Sequence, residues 1–201
     1  MRVIKVAGVV VSLVIGATVT VAPAAADPDA LKDGPRSLAV SSASSSKVQK
    51  FPDRGTCQLR KSRGELLPDS KCTPGAISRD GARTDISKTV CKKGWAKTQT
   101  GSSSVYAKER PLAARAYGTS EKESKDLVLD HLVPVQLGGA VNDPRNLWLQ
   151  TPEAARKKNR VDTALTAAVC SGTMSLASAQ RVIAQDWTAI SVTSSEAGGR
   201  R

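Results

Sequence analysis

Residues 127–160 read LVLDHLVPVQLGGAVNDPRNLWLQTPEAARKKNR and include the only histidine of the chain, His131. A run of β-forming apolar residues leads into that histidine. A glycine pair at 138–139 indicates a turn, and the Asn-Leu-Trp-Leu stretch at 146–149 indicates a second short strand. The pair Thr151-Pro152 is typical of a helix start, with threonine as the N-cap and proline in the first turn. The stretch therefore predicts a strand, a turn-rich loop, a second strand and a helix.

The helix that begins after Thr151 is predicted to be amphipathic, and a second amphipathic helix follows it from Ser175 to about Trp187. In both segments apolar residues recur at the 3.6-residue spacing of one helix face. Trp148 and Trp187 are predicted to be core anchors, because burial is the commonest use of so large a ring. The two apolar stripes consist of Ala154, Val161, Leu165, Ala168 and Val169, and of Leu176, Ala179, Val182 and Ile183.

The region before this stretch, residues 51–105, carries many turn signals and few periodic apolar runs. It is predicted to be rich in loops, with short strands near residues 89–90 and 104–106. A short helix is predicted over 111–117, with proline in its first turn and Gly118 as its C-terminal cap.

The chain has four cysteines, an even number that indicates two disulfides in an exported protein. A four-cysteine zinc site is disfavoured, because the gaps of 14, 18 and 78 residues between the cysteines contain no C-x-x-C pair. Three pairings are possible. We favour Cys57–Cys72 and Cys91–Cys170, of which the second would tie the N-terminal region to the C-terminal half.

The first 26 residues have the pattern of a secretory signal peptide. Two basic residues precede an apolar run over 6–21, and the alanines at 24–26 offer a cleavage site. The apolar run is shorter than the roughly 20 residues that a spanning helix needs, which disfavours an integral membrane anchor in the mature chain. We therefore expect an exported protein whose first mature residue is Asp27.

Sequence of low complexity lies on both sides of the remaining chain. Residues 27–50 contain a serine-rich run and little apolar sequence, and residues 191–201 are similar, so disorder is predicted for both. Residues 51–190 are then predicted to form a single domain, with its core at about 125–187.

The chain is strongly basic, with 30 Lys and Arg residues against 18 Asp and Glu and a formal net charge of +12. Removal of residues 1–26 takes away two basic residues and no acidic one, which leaves +12 − 2 = +10. This surplus favours anionic partners such as nucleic acid, anionic lipid headgroups or cell-wall polymers. The charge indicates the sign of the partner and not its identity.

Three polar residues stand at a characteristic spacing around His131. His131 directly follows Asp130, Asn146 comes 15 residues later, and Asn159 comes another 13 residues on, in the predicted helix. This spacing resembles that of the HNH, or ββα-metal, endonuclease family. Over roughly residues 66–187 the chain is also similar to a group of small secreted bacterial proteins of that family. The stretches that carry the resemblance are DHLVP at 130–134, GG at 138–139, NLW at 146–148, TP at 151–152, LPD at 67–69, CTPGA at 72–76, Cys91, YG at 117–118 and residues 169–187.

The resemblance implies a role for each matching residue. Asp130 and Asn159 would be metal ligands, and His131 would be the general base that takes a proton from the attacking water. Asn146 would brace the loop that holds the histidine. The family's other helix ligand falls at Ala155, which cannot coordinate a metal, so the match is incomplete at that position.

The implied fold is α+β, a ββα-metal core with a following helix, preceded by a disulfide-held, loop-rich region. One divalent ion is expected as cofactor. A carboxylate and an amide oxygen favour Mg²⁺ or Mn²⁺ over Zn²⁺. Basic residues crowd the same segment and are expected to bind the nucleic-acid backbone with little sequence specificity. These candidate nucleic-acid-binding residues are Arg145, Arg156, Lys157 and Arg160.

The expected function is a secreted, extracellular bacterial endonuclease that hydrolyses DNA, with RNA as a second candidate substrate. The first alternative is an exported protein on the same scaffold that binds DNA or an anionic polymer without cutting it. The second is a structural or regulatory cell-surface protein in which the Asp130-His131 pair has no chemical role. Whether the chain has a protein partner does not follow from the sequence.

Overall fold

The chain has a mixed α+β fold built from helices and small two-stranded sheets, seen here in a computed structural model. The structure describes residues 19–21, 38–43, 46–82, 85–99 and 101–192, the first of these segments in its backbone only. The strands are β1 (Val19–Val21), β2 (Ala39–Val40), β3 (Arg60–Ser62), β4 (Glu65–Leu67), β5 (Ala76–Ile77), β6 (Val128–His131), β7 (Leu147–Gln150) and β8 (Ile190–Val192). The α-helices are α1 (Trp95–Gln99), α2 (Ser103–Ala116), α3 (Glu121–Ser124), α4 (Pro152–Cys170) and α5 (Leu176–Asp186). Short 3-10 helices lie at Asp80–Ala82, Val135–Leu137, Pro144–Asn146 and Trp187–Ala189.

The β6–β7 hairpin carries the histidine, and both of its strands were predicted. The strands pair antiparallel, with Asp130 opposite Trp148 and His131 opposite Leu147. The second strand begins one residue later than predicted, because Asn146 closes a 3-10 helix. Neighbouring residues of a strand point to opposite faces. The carboxylate and the imidazole therefore leave β6 on different sides of the hairpin.

The two faces of this hairpin pack against different helices. Trp148 lies in the larger apolar core with Leu165 of α4 and Ile183 of α5, while Leu147 lies in a smaller core against α2. Trp187 is also buried in the larger core, so both predicted tryptophan anchors are confirmed. Asp130 consequently faces α4, and His131 faces α2.

Helices α4 and α5 begin where the sequence predicts. The side chain of Thr151 caps α4 and that of Ser175 caps α5, each by accepting a hydrogen bond from a backbone N–H of the first turn. The predicted stripe of α4 is buried, and Lys158 lies within it with no exposed surface.

Three predictions upstream are wrong. Residues 104–106 lie in helix α2, which begins at Ser103 with Ser102 as its N-cap, so the predicted helix over 111–117 is the second half of a longer one. Pro111 lies inside that helix. Because proline is commoner in the first turn of a helix than in its interior, the sequence wrongly predicted a helix start at Pro111. Residues 89–90 form turns rather than a strand, and the N–H of Thr89 bonds locally, to the carbonyl of Ile86 at 3.2 Å.

Both favoured disulfides are present. Cys57 pairs with Cys72 and Cys91 with Cys170, and no free cysteine remains among the described residues. The second bridge ties the turn before α1 to the last residue of α4. None of the described helices is both long and apolar enough to span a bilayer.

Part of the segment before the predicted domain lies among the residues that the structure describes. Most of the predicted signal peptide at 1–26 lies outside the described residues, but the backbone of β1 pairs with β8. Within the predicted disordered segment at 27–50, β2 pairs in parallel with β5, and buried Ser41 donates a 2.7 Å hydrogen bond to Asp143. These contacts concern only the described residues of the segment, and the predicted boundaries at residues 26 and 50 stay predictions.

The C-terminal boundary also differs slightly. Strand β8 extends through Val192 and so takes in the first residues of the predicted disordered tail at 191–201. Residues 193–201 lie outside the described part of the chain.

Candidate functional site

A cavity of about 670 Å³ opens between α1, α2, β6 and α4, and we call it the His131 cavity. Its wall includes three residues that the motif singled out: Asp130, His131 and Asn159. The fourth, Asn146, lies behind the wall with no exposed surface. The fold therefore collects around one cavity residues that are up to 29 positions apart in the chain, from Asp130 to Asn159.

Asn146 holds together the loop that follows His131. Its amide Nδ2 donates to the carbonyls of Val133 at 2.9 Å and Ala140 at 3.0 Å, and its Oδ1 accepts from the N–H of Val133 at 2.9 Å and of Ala76 at 3.4 Å. Gly139 permits the close packing, because a Cβ there would lie 1.8 Å from the carbonyl oxygen of Val133. A buried amide with both ends satisfied fixes loop geometry at little desolvation cost.

His131 is held in one orientation by a backbone carbonyl. Its Nε2 lies 3.0 Å from the carbonyl oxygen of Val141, and its ring meets the ring of Tyr106 edge-on at 5.9 Å between centroids. A carbonyl can only accept, so we assign the proton to Nε2, which leaves the Nδ1 lone pair as the basic site. Burial lowers the pKa of His131, while the charge of Asp130 opposes that shift. The imidazole is therefore neutral at pH 7.

Lys158 lies beneath Asp130 with a fully buried ammonium group. Its Nζ is 3.1 Å from Oδ2 of Asp130, 3.2 Å from Oδ1 and Oδ2 of Asp162, and 2.8 Å from the carbonyl oxygen of His131. Gln150 also donates to Oδ2 of Asp130, at 2.8 Å. One lysine thus contacts both residues of the Asp-His pair.

The charges in this network balance one another in part. Burial alone would lower the pKa of Lys158, but Asp130 and Asp162 outweigh it and raise the pKa, so the lysine stays charged. Burial raises the pKa of Asp162 to about 6, against the opposing effect of Lys158. A charged lysine between two carboxylates satisfies groups that could not be buried alone.

Asp130 and Asn159 could hold a metal ion only with help from water and substrate. No group of three or more His, Cys, Asp or Glu side chains in the described part of the chain is arranged to bind a metal. Oδ1 of Asp130 has no hydrogen bond or ion pair with the described residues, and the exposed Asn159 amide lies on the same cavity wall. Two such oxygens fit Mg²⁺, which keeps several waters, better than a four-coordinate zinc ion.

The four predicted nucleic-acid-binding residues fall into two groups. Arg145 forms a two-pronged ion pair with Asp143, with its Nη2 2.6 Å from Oδ2, and Lys157 pairs with Glu65 at 2.6 Å. Arg145 lines a second, shallower cleft rather than the His131 cavity. Arg156 and Arg160 are exposed on α4 beside Asn159, without an ion pair to any described residue.

The cavity wall and the layer behind it contain residues that the motif did not indicate: Asp162, Tyr106 and Arg110 on the wall, and Lys158 buried behind it. Lys158 and Asp162 could have been suspected, because a lysine inside an apolar stripe with an acid four residues later is typical of a buried ion pair. Tyr106 and Arg110 come from α2, and no local pattern relates that helix to the hairpin.

Comparison with protein-family models, with curated proteins and with solved structures found no match to this chain.

Proposed function

We propose that the protein is a secreted, metal-dependent phosphodiesterase of the HNH type that hydrolyses nucleic acid, with DNA as its first substrate and RNA as its second. The observation that supports it best is the His131 cavity, whose wall includes an oriented imidazole, Asp130 with its Oδ1 left unpaired by the described residues, and Asn159. The β6–β7 hairpin followed by α4 is compatible with a ββα-metal core. The two disulfides fit an oxidising compartment outside the cell.

In this proposal His131 is the general base. Its neutral Nδ1 takes a proton from a water molecule that attacks the phosphorus. The hydrogen bond from Nε2 to the carbonyl of Val141 keeps the ring from turning, and it stabilises the imidazolium once the proton has arrived. Asn146 keeps the loop with Val133 and Ala140 in place while this happens.

Asp130 and Asn159 would hold the divalent ion, Mg²⁺ or Mn²⁺ in preference to Zn²⁺. When bound, such an ion supplies positive charge to the phosphoryl oxygens and to the leaving oxygen. Lys158 occupies Oδ2 of Asp130, so Oδ1 is the oxygen left for the cavity. Arg156 and Arg160, which are exposed on α4 beside Asn159, would attract the phosphate backbone of the substrate.

A second candidate function is an exported protein that binds DNA or another anionic polymer without cutting it. Lys158 favours this alternative, because its ammonium already compensates part of the charge of Asp130 and Asp162 without any metal. The missing ligand at Ala155 also favours it. Binding would then depend on the basic surface alone and would weaken steeply with salt.

The test is cleavage of supercoiled plasmid by the oxidised chain with Mg²⁺ or Mn²⁺. We expect cleavage that EDTA abolishes, and His131→Ala should slow it by about 10²–10⁴-fold, the usual cost of losing a positioned base. His131→Ala should still bind Mn²⁺ as the parent does, whereas Asn159→Ala should bind it more weakly. Equal cleavage rates for His131→Ala and the parent would refute the mechanism. Salt-sensitive DNA binding with no cleavage under Mg²⁺, Mn²⁺ or Zn²⁺ would leave the binding protein as the function.

A further inference from the structure

Arg110 of α2 lies on the wall of the His131 cavity and pairs with no carboxylate among the described residues. Its Nη1 donates to the carbonyl of Leu127 at 2.7 Å and lies 3.4 and 3.5 Å from the carbonyls of Ser124 and Lys125. Carbonyl oxygens orient a guanidinium but carry no formal charge. The positive charge of Arg110 is therefore held in place without being neutralised.

The rest of the guanidinium remains available. Nε and Nη2 of Arg110 make no hydrogen bond within the described part of the chain, and the side chain is half-buried at the cavity. The free donors of a planar guanidinium match the oxygens of a phosphate. The charged hydrogen bonds between the two groups are stronger in a partly desolvated site than at an open surface.

Helix α2 brings this charge near His131. The cavity side of α2 consists of Ser103, Tyr106, Ala107 and Arg110, at the spacing of a single helix face. Tyr106 touches the ring of His131, and side chains four residues apart on a helix are neighbours at about 5–6 Å between Cβ atoms. A phosphate beside the imidazole would thus lie within reach of the Arg110 side chain.

Lys158 offsets part of the negative charge that the cavity acids would oppose to this attraction. Both Asp130 and Asp162 are within 3.2 Å of the ammonium of Lys158. An incoming phosphate therefore meets two carboxylates that are already partly compensated, together with the uncompensated charge of Arg110.

We infer that Arg110 is a phosphate anchor, which binds a non-bridging oxygen of the phosphodiester beside His131. This inference rests on the proposed function for the identity of its ligand. It adds a substrate-binding residue from α2, outside the hairpin and helix that carry the motif. It also makes the His131 cavity, rather than the α4 surface alone, the place where nucleic acid is gripped.

The experiment measures binding of a short fluorescent oligodeoxynucleotide to the oxidised full chain in a His131→Ala background, so that cleavage does not intervene. We expect Arg110→Gln, whose amide can still donate to Leu127, to raise Kd about tenfold or more, as expected for one lost charged hydrogen bond. The slope of log K against log salt should fall by about 0.7, one phosphate contact on a single strand. The matched control is Arg115→Gln, an exposed arginine of the same helix outside the cavity, which should bind as the background does.

A purely structural role would give a different result. If Arg110→Gln lowers Tm but leaves Kd and the salt slope of the folded protein unchanged, Arg110 only caps backbone carbonyls and the inference is wrong. If Arg110→Gln does not fold, Arg110→Lys keeps the charge but loses the planar fork. It should then bind several-fold more weakly, and a parent-like Kd would overturn the inference.

The two proposals can fail separately. If the parent protein does not cleave DNA but Arg110→Gln still weakens binding, the proposed hydrolytic function is wrong and the proposed phosphate anchor stands. If the parent cleaves DNA and Arg110→Gln binds it normally, the proposed anchor is wrong and the proposed function stands.

Discussion

Lys158 is a charged residue with no exposed surface, and every donor of its ammonium group can be accounted for. The donors meet Asp130, Asp162 and the carbonyl of His131, so the lysine links α4 to the end of β6. Removing one partner of a buried ion pair is costly because it leaves the other charge uncompensated. At the scale of single residues, this lysine is the main electrostatic constraint on the site.

We predict that Lys158→Met lowers the free energy of unfolding by about 3–5 kcal/mol, because buried Asp162 and half-buried Asp130 then lose the cation that they share. The double variant Lys158→Met/Asp162→Asn should recover part of this loss, since it removes one of the two repelling carboxylates. Urea unfolding at pH 7 measures both. A single variant as stable as the parent would show that the ammonium does not balance these acids.

At the scale of single elements, helix α2 forms one wall of the His131 cavity and also carries a buried glutamate, Glu109. Glu109 has no exposed surface, and neither carboxylate oxygen meets a described donor in hydrogen-bond geometry, although the N–H of Gln49 is close enough to offset the effect of burial in part. Burial raises the pKa of Glu109 from 4.5 to about 7. Asn142 holds the segment that contains Gln49 by donating to the carbonyl of Lys47.

This burial predicts a pH dependence of stability. A carboxyl whose pKa is higher in the folded state binds more protons there, so the protein loses stability as pH rises from about 4.5 to about 7. Glu109→Gln should remove that loss and stabilise the protein by roughly 1–3 kcal/mol at pH 8, with little effect at pH 4. Thermal unfolding across this pH range is the measurement. An unchanged pH profile in Glu109→Gln would mean that the carboxyl is solvated in the folded protein.

At the scale of the whole molecule, the disulfides determine how the loop-rich half is attached to the helical half. Cys91–Cys170 spans 79 residues and fixes the turn before α1 to the end of α4, two elements that line the His131 cavity. Cys57–Cys72 spans only 15 residues, within the loop-rich region. The longer bridge therefore constrains the site, and the shorter one constrains a local loop.

We predict that replacing Cys91 and Cys170 by Ser destabilises the protein more than replacing Cys57 and Cys72. Loop-closure entropy gives about 4.5 kcal/mol for the long loop and about 3 kcal/mol for the short one. Denaturant unfolding of the two double variants tests the order. The reverse order would show that local strain or residual structure outweighs chain entropy here.

The sequence by itself determined the elements whose signals are local. The starts of α4 and α5 follow from Thr151 and Ser175, because a capping side chain bonds within its own first turn. Their buried stripes follow from a 3.6-residue period, which belongs to one helix and needs no partner. The bracing role of Asn146 was implied by the resemblance around His131 and by no local signal, and its amide does bond the carbonyls of Val133 and Ala140.

Only the tertiary structure decided which elements meet. The approach of α2, with Tyr106 and Arg110, and the ion pairs of Arg145 and Lys157 depend on side chains that converge from separate segments. A periodic pattern tells which face of a helix is buried but not what packs against it. Basic residues that look alike in the sequence therefore differ in the structure. Lys158 is buried between two carboxylates, Arg145 and Lys157 form ion pairs with Asp143 and Glu65, and Arg156 is exposed.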